Sequence, residues 1–237
     1  MRNALTLAMY ARLRTICTEA AGNAELRVVV FAGAGDHAFV AGTDIAEFRA
    51  FASGDDGLRY EEQMDDVLGA VEDLPVPTIA ALRGACTGGG LALASACDLR
   101  VAAPDVRIGF PMARTLGNCL SARNLARVSD LIGAAAVKDL LFTARLMDAH
   151  RAHELGFLNE IVAPPAGLDA RVAEIATLIA ENAPLTLRAT KETMRRIRVH
   201  GRGVDDRDVL LSCYASNDFR EGMTAFLEKR PARWSGT

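Results

Sequence analysis

Apolar residues recur at helical spacing from the start of the chain. Leu5, Met9, Leu13 and Ile16 form one stripe of a helix predicted over Leu5–Ala21, with Gly22 and Asn23 as stop residues. The pattern then becomes continuous: Leu26–Gly33 is β-branched and glycine-bounded, which predicts a buried strand. A loop over Gly35–Val40 leads to Ala41-Gly42-Thr43-Asp44-Ile45, where Thr43 or Asp44 suits the N-cap of a helix carrying Ile45 and Phe48. Ser53–Gly57 is polar and rich in Gly and Asp, and reads as a mobile loop. A helix follows over Leu58–Leu74 and is ended by Pro75-Val76-Pro77.

Thr78–Leu82 is an apolar, β-prone run and predicts a buried strand. It leads through Gly88-Gly89-Gly90 into a helix over Leu91–Cys97 that is apolar on several sides. Leu99–Ala103 and Val106–Phe110 read as short strands around Pro104-Asp105. Pro111–Ser121 is irregular and ends at Ser121, a suitable N-cap for a helix running to Leu131 and stopping near Gly133. Helical stretches over Ala134–Phe142 and Asp148–Leu155 and a short strand over Leu158–Val162 follow. Beyond Leu168 only helices are predicted: Leu168–Asn182, Pro184–Val199, Val204–Asn217 and a segment to Lys229. Strand–helix alternation giving way to an all-helical tail predicts an α/β core over residues 1–182 and a helical region over 183–237. The tail's apolar stripes need a partner surface.

Composition narrows the classes. With 237 residues, half of them apolar, the chain can bury one large core. No apolar run nears the ~20 residues of a membrane span, and no signal-peptide pattern opens the chain. A net charge of −3 with signs interspersed gives no nucleic-acid surface. Five scattered cysteines without metal spacing fit reduced thiols, and the expected setting is a soluble cytoplasmic protein with neither membrane nor nucleic acid as partner.

Candidate chemistry sits at two turns. Glycines let a ligand approach the main chain, and the start of a helix offers unpaired N–H groups. Both Ala41-Gly42-Thr43-Asp44 and Gly88-Gly89-Gly90 follow predicted strands and open helices. If the strands are neighbours in one sheet, the two turns can aim N–H groups at one carbonyl oxygen, forming an oxyanion hole. An isolated GGG serves equally for close helix–sheet packing; the second turn favours chemistry. Two other patterns are set aside. Gly33-Ala34-Gly35-Asp36-His37-Ala38 matches GxGxxA, but a loop rather than a helix follows it. His150, His153 and Glu154 share a helix side without HExxH or a fourth ligand, and read as a solvated face.

Phe39-Val40-Ala41-Gly42-Thr43-Asp44-Ile45 and Gly84–Leu93 resemble the two signature segments of the enoyl-CoA hydratase/isomerase (crotonase) family. Asn3-Ala4-Leu5, Cys97–Ala102 and Phe219–Arg230 are similar to further family motifs, in order along the whole chain. The resemblance implies a core of repeated ββα units and a helical C-terminal region that assembles trimers or dimers of trimers. It implies an acyl-CoA thioester as ligand, its oxygen held by the N–H groups of Thr43 and Gly89, and no separate cofactor. Gly88 and the main chain of Ala41, Asp44 and Ile45 would line the site. Phe226, Lys229 and Arg2 would approach the nucleotide end; apart from the resemblance, Phe226 reads as core and the other two as solvated charges.

The pattern also departs from the family. The positions of the two family glutamates are held by Ala92 and Met112, neither of which transfers a proton. Replacements are sought in Arg114–Ser121: Cys119 as thiol or thiolate, with Asn118 or Arg114 orienting the acyl group, against the commoner fate of free cysteine as a small buried hydrophobe. The family's usual N-terminal strand pair is absent, which would leave a sheet edge open. Two functions follow: an acyl-CoA enzyme of the hydratase or isomerase type, or a non-catalytic CoA-thioester-binding subunit.

Overall fold

Strands occur as consecutive pairs whose members go to different sheets. In the computed structural model, which describes residues 3–237, α1 (Leu7–Ala21) precedes β1 (Val29–Ala32) and β2 (Ala38–Val40). A 3₁₀ turn over Ile45–Ala50 and α2 (Gly54–Glu72) complete the first unit. The next holds β3 (Thr78–Leu82), β4 (Ala85–Thr87) and α3 (Gly89–Ala96). The third holds β5 (Leu99–Ala102), β6 (Arg107–Gly109), a single turn α4 (Met112–Thr115) and α5 (Ala122–Thr143). After α6 (Ala149–Glu154) and β7 (Glu160–Ile161) come α7 (Leu168–Ala180), α8 (Pro184–His200), α9 (Arg207–Tyr214) and α10 (Asn217–Glu228).

The first strand of each pair enters a parallel sheet ordered β1-β3-β5-β7, and the second a parallel sheet ordered β2-β4-β6. The expected ββα repetition and the helical C-terminal region are both present. β3 is buried along its whole length, as the central strand of a parallel sheet covered on both faces should be.

Several expectations need correction. β1 is an outer strand with alternating exposure, because it pairs only with β3 among the described residues. Ala38–Val40 is a buried strand rather than loop, and its presence also rules out a helix opening from the GxGxxA letters. The segment 53–57 is helical: the Asp56 carboxylate accepts from the N–H groups of Ala52 (2.8 Å) and Ser53 (2.9 Å), fixing the entry to α2. In α1 the buried positions are Tyr10 and Cys17, while Met9 and Ile16 face outward. Leu5 precedes that helix and bridges to Thr43. α5 spans both helices predicted on either side of Gly133, which marks a kink at φ 78°.

Two polar links set α3 and the helical tail. The Arg100 guanidinium, on β5, donates to the carbonyls of Ala94, Cys97 and Asp98 at the end of α3, where the helix dipole favours a cation. Asp98 accepts from Thr78 N (2.8 Å) and from Lys191 Nζ (2.7 Å), tying α8 to the start of β3.

Candidate active site

Because β2 and β4 are parallel neighbours, with Val40 opposite Cys86, the turns leaving them lie side by side. Gly42 takes φ +110°, and a Cβ built on it would stand 3.4 Å from Thr87 O and 4.0 Å from Gly89 N. Thr87 Oγ1 donates to Ala41 O at 3.0 Å and pins the two turns together.

The amides around each turn are mostly claimed. Asp44 N donates to Leu5 O and Gly88 N to Gly109 O, at 2.8 and 3.0 Å. Among the described residues no acceptor takes the N–H of Thr43 or that of Gly89. Both residues wall one cavity of about 240 Å³, together with Ala41, Ile45 and Gly88. Two unclaimed donors on one largely apolar wall are suited to a carbonyl oxygen that gains charge during reaction.

A chain of hydroxyls backs this wall. Thr43 Oγ1 lies 2.6 Å from Tyr60 Oη and 3.1 Å from Tyr10 Oη. Burial pushes both phenols upward, so they stay protonated; the hydrogen bond to Thr43 opposes the shift in each. Tyr60 packs edge-on against Phe48, giving the cavity an aromatic side.

Ala92 and Met112 both face the cavity, where the resemblance sets the family glutamates. Of the proposed replacements, Asn118 lines it, whereas Arg114 and Cys119 do not. Cys119 is exposed, so the buried-hydrophobe reading does not fit it, and it is not among the cavity-lining residues, which include its neighbours Asn118 and Leu120. Asp44 is not a lining residue either; its carboxylate caps the 3₁₀ turn by accepting from Ala46 N at 3.0 Å. Phe226, 83% exposed, is surface rather than core; it and the exposed Lys229 lie on or just past α10, away from the cavity lining. Arg2 falls outside the described residues.

The sequence reading missed Glu61. It stands on the cavity wall and its Oε2 accepts from Ser121 N at 3.0 Å. Burial pushes its carboxyl above the ordinary glutamate value; the Ser121 N–H opposes this and the nearby Asp65 adds to it. A signal was present: Glu61, Met64 and Leu68 follow helical spacing, so a carboxylate lies on the inward stripe of α2.

Two parallel sheets fed by split strand pairs, with two glycine turns meeting at their ends, define a crotonase-fold protein. The family model for enoyl-CoA hydratase/isomerase matches residues 1–237. The short-chain-enoyl-CoA hydratase of Clostridium acetobutylicum is 32% identical, over 96% of this chain and 87% of that one. The crotonyl-CoA hydratase of Syntrophomonas wolfei is also 32% identical, over 98% and 89%. The crystal structure of an enoyl-CoA hydratase from Bacillus anthracis superposes with a TM-score of 0.89 at 33% identity, covering 100% of this chain and 92% of the other. The chain belongs to the enoyl-CoA hydratase/isomerase family.

Proposed function

We propose that this protein binds acyl-CoA thioesters and stabilises the enolate formed when a proton leaves the carbon next to the thioester. The observation that carries this reading is the pair of unclaimed N–H groups, on Thr43 and Gly89, at one cavity wall. An oxygen held there becomes a better electron acceptor, and losing one such donor typically costs about 2.7–4 kcal/mol in the transition state. Main-chain groups at Ala41 and Gly88 complete the site, and Asn118 is the side chain from the expected replacement segment that reaches it. Coenzyme A enters as part of the substrate, and no separate cofactor is invoked.

Apolar side chains stand exposed on α9 and α10, among them Leu211, Tyr214, Phe226 and Leu227. They support assembly into trimers or dimers of trimers, in which Phe226 and Lys229 of one copy would approach the nucleotide end of another copy's site. Among the described residues no helix is long and apolar enough to cross a membrane.

The test compares crotonyl-CoA with the matching S-alkyl thioether, which lacks the carbonyl. Each lost hydrogen bond is worth about 1 kcal/mol, roughly fivefold in Kd, so losing the bonds from both Thr43 and Gly89 should weaken thioether binding by about 25-fold. Equal affinity for the two removes the oxyanion reading. A second reading rests on Ala92 and Met112, which place no proton-transferring group on their part of the wall: a CoA-thioester-binding subunit without turnover. Saturable binding of a saturated acyl-CoA such as butyryl-CoA, with no α-proton exchange in heavy water, would favour it.

A further inference from the structure

We propose that Glu61 is the group that moves the substrate proton, a role resting on the thioester-binding reading above. Among the described residues it is the one carboxylate on the cavity wall that holds Thr43 and Gly89. Its placement is built rather than incidental. Oε2 is occupied by the N–H of Ser121, the N-cap of α5, while no protein donor among the described residues takes Oε1. Ser121 is fixed in turn, because its Oγ donates to Asp65 Oδ1 at 2.9 Å and Asp65 faces the Arg127 guanidinium at 3.5 Å. One oxygen is therefore anchored to a helix start and the other is left for chemistry. A carboxylate held this way, on the wall that carries Thr43 and Gly89 and with one oxygen unclaimed, has the placement a general base needs, and its proton affinity is raised above the ordinary glutamate value.

A single carboxylate also selects the reaction. Hydration needs one group to activate water and another to protonate carbon, whereas a double-bond shift needs one group that takes a proton and returns it. With a β,γ-unsaturated acyl thioester, Glu61 removes the α-proton and the C–H electron pair passes into a dienolate. The oxygen of that dienolate rests on the amides of Thr43 and Gly89. The carboxylic acid then gives the proton to the γ-carbon, the α,β double bond forms, and the carboxylate is regenerated. No water or other reactant is consumed. The chemical class of substrate is thus a 3-enoyl thioester of coenzyme A.

Burial, Asp65 on α2 and the Ser121 N–H at the start of α5 set the proton affinity of Glu61; Tyr60 of α2 and Tyr10 of α1 share its cavity wall, and Arg127 of α5 faces Asp65. The experiment uses the full-length protein with 3-hexenoyl-CoA. It follows conversion to the 2-enoyl isomer, α-proton exchange into heavy water, and Kd. Glu61→Gln keeps an oxygen for Ser121 N and should lose about 100-fold or more in conversion and exchange, with Kd changed by less than about threefold. Glu61→Asp, which keeps the charge but shortens the reach, should fall between. In the wild type the rate should rise with pH along a limb centred above the ordinary 4.5 of glutamate. Conversion by Glu61→Gln within about threefold of wild type, or a wild-type limb at or below 4.5, overturns the Glu61 assignment alone. Binding without exchange in the wild type also overturns it and supports the non-catalytic reading. Failure of the wild type to bind any acyl-CoA overturns the thioester reading, and this inference with it.

Discussion

Gly90 lies so close to Val40 that a Cβ built on it would stand 2.1 Å from the Val40 carbonyl oxygen. The obstacle is main chain of a buried strand, so relief requires α3 and β2 to move apart, and with them the two turns that wall the cavity. Gly90→Ala should cost about 3 kcal/mol or more, at or beyond the upper end of ordinary overpacking. Gly57, inside α2, has nothing within 4 Å of a built Cβ, and Gly57→Ala should add about 0.4–1 kcal/mol by the helix preference for alanine. Urea midpoints for the two variants should move in opposite directions; a Gly90→Ala protein as stable as wild type contradicts the packing described.

Removing the Thr43 hydroxyl separates its structural work from that of its amide. The Tyr10 hydroxyl is almost wholly buried and has Thr43 Oγ1 as its hydrogen-bond partner. Thr43→Val therefore strands a buried donor, at about 1–3 kcal/mol. Adding Tyr10→Phe removes the stranded group, and the double variant should recover part of that loss. Thioester affinity should stay within a few-fold throughout, because the Thr43 N–H survives. A large loss of affinity in Thr43→Val would mean that the hydroxyl, not the amide, meets the ligand.

Asp98 joins three elements at once, accepting from Thr78 N, from Thr78 Oγ1 (2.9 Å) and from Lys191 Nζ. Its side chain is 33% exposed and that of Lys191 only 11%, so solvent weakens the pair without dissolving it. Asp98→Ala should cost about 1–3 kcal/mol through lost hydrogen bonds and a poorly paired Lys191. Proteolysis should cut the α8 junction earlier in the variant than in wild type. An unchanged cleavage pattern would show that α8 is held chiefly by its apolar contacts.

Much of this was legible in the chain, and the gaps have physical causes. The limits of β3 and the cap at Ser121 follow from local chemistry, namely a β-prone run and a side chain that accepts from the first helical turn. β2 and β4 span only three residues each, too few for any period to register, so Ala85-Cys86-Thr87 disappeared into the turn that follows it. Glycines 54 and 57 suggested a loop, but the Asp56 bonds to the Ala52 and Ser53 amides outweigh their cost of about 1 kcal/mol each. The α1 stripe was misplaced because it left out Tyr10, which is buried with Thr43 Oγ1 as partner for its hydroxyl. Glu61 was passed over for a different reason: its place on the inward stripe of α2 was readable, but a lone glutamate in a helix reads as solvated, and the residue that anchors it, Ser121, lies 60 positions away.

Glu61 should also leave a mark on stability that needs no substrate. Burial raises its carboxyl above 4.5, Asp65 pushes in the same direction, and the Ser121 N–H pulls back. A group whose folded-state proton affinity exceeds its unfolded one holds more protons when folded. Its contribution is then fully present below the unfolded value and is lost as pH rises through the folded one. Glu61→Gln removes this titration while keeping the shape and the Ser121 contact. Wild type should therefore lose stability relative to Glu61→Gln as pH climbs past the ordinary glutamate value of 4.5, the difference levelling off once Glu61 is ionised in the folded state. Asp65, Arg127, Tyr10 and Tyr60 are common to both proteins. Urea unfolding of both proteins across that range measures the gap. A gap constant with pH would mean that Glu61 ionises as freely in the folded protein as in the unfolded chain, and so lacks the raised proton affinity a base in this cavity requires.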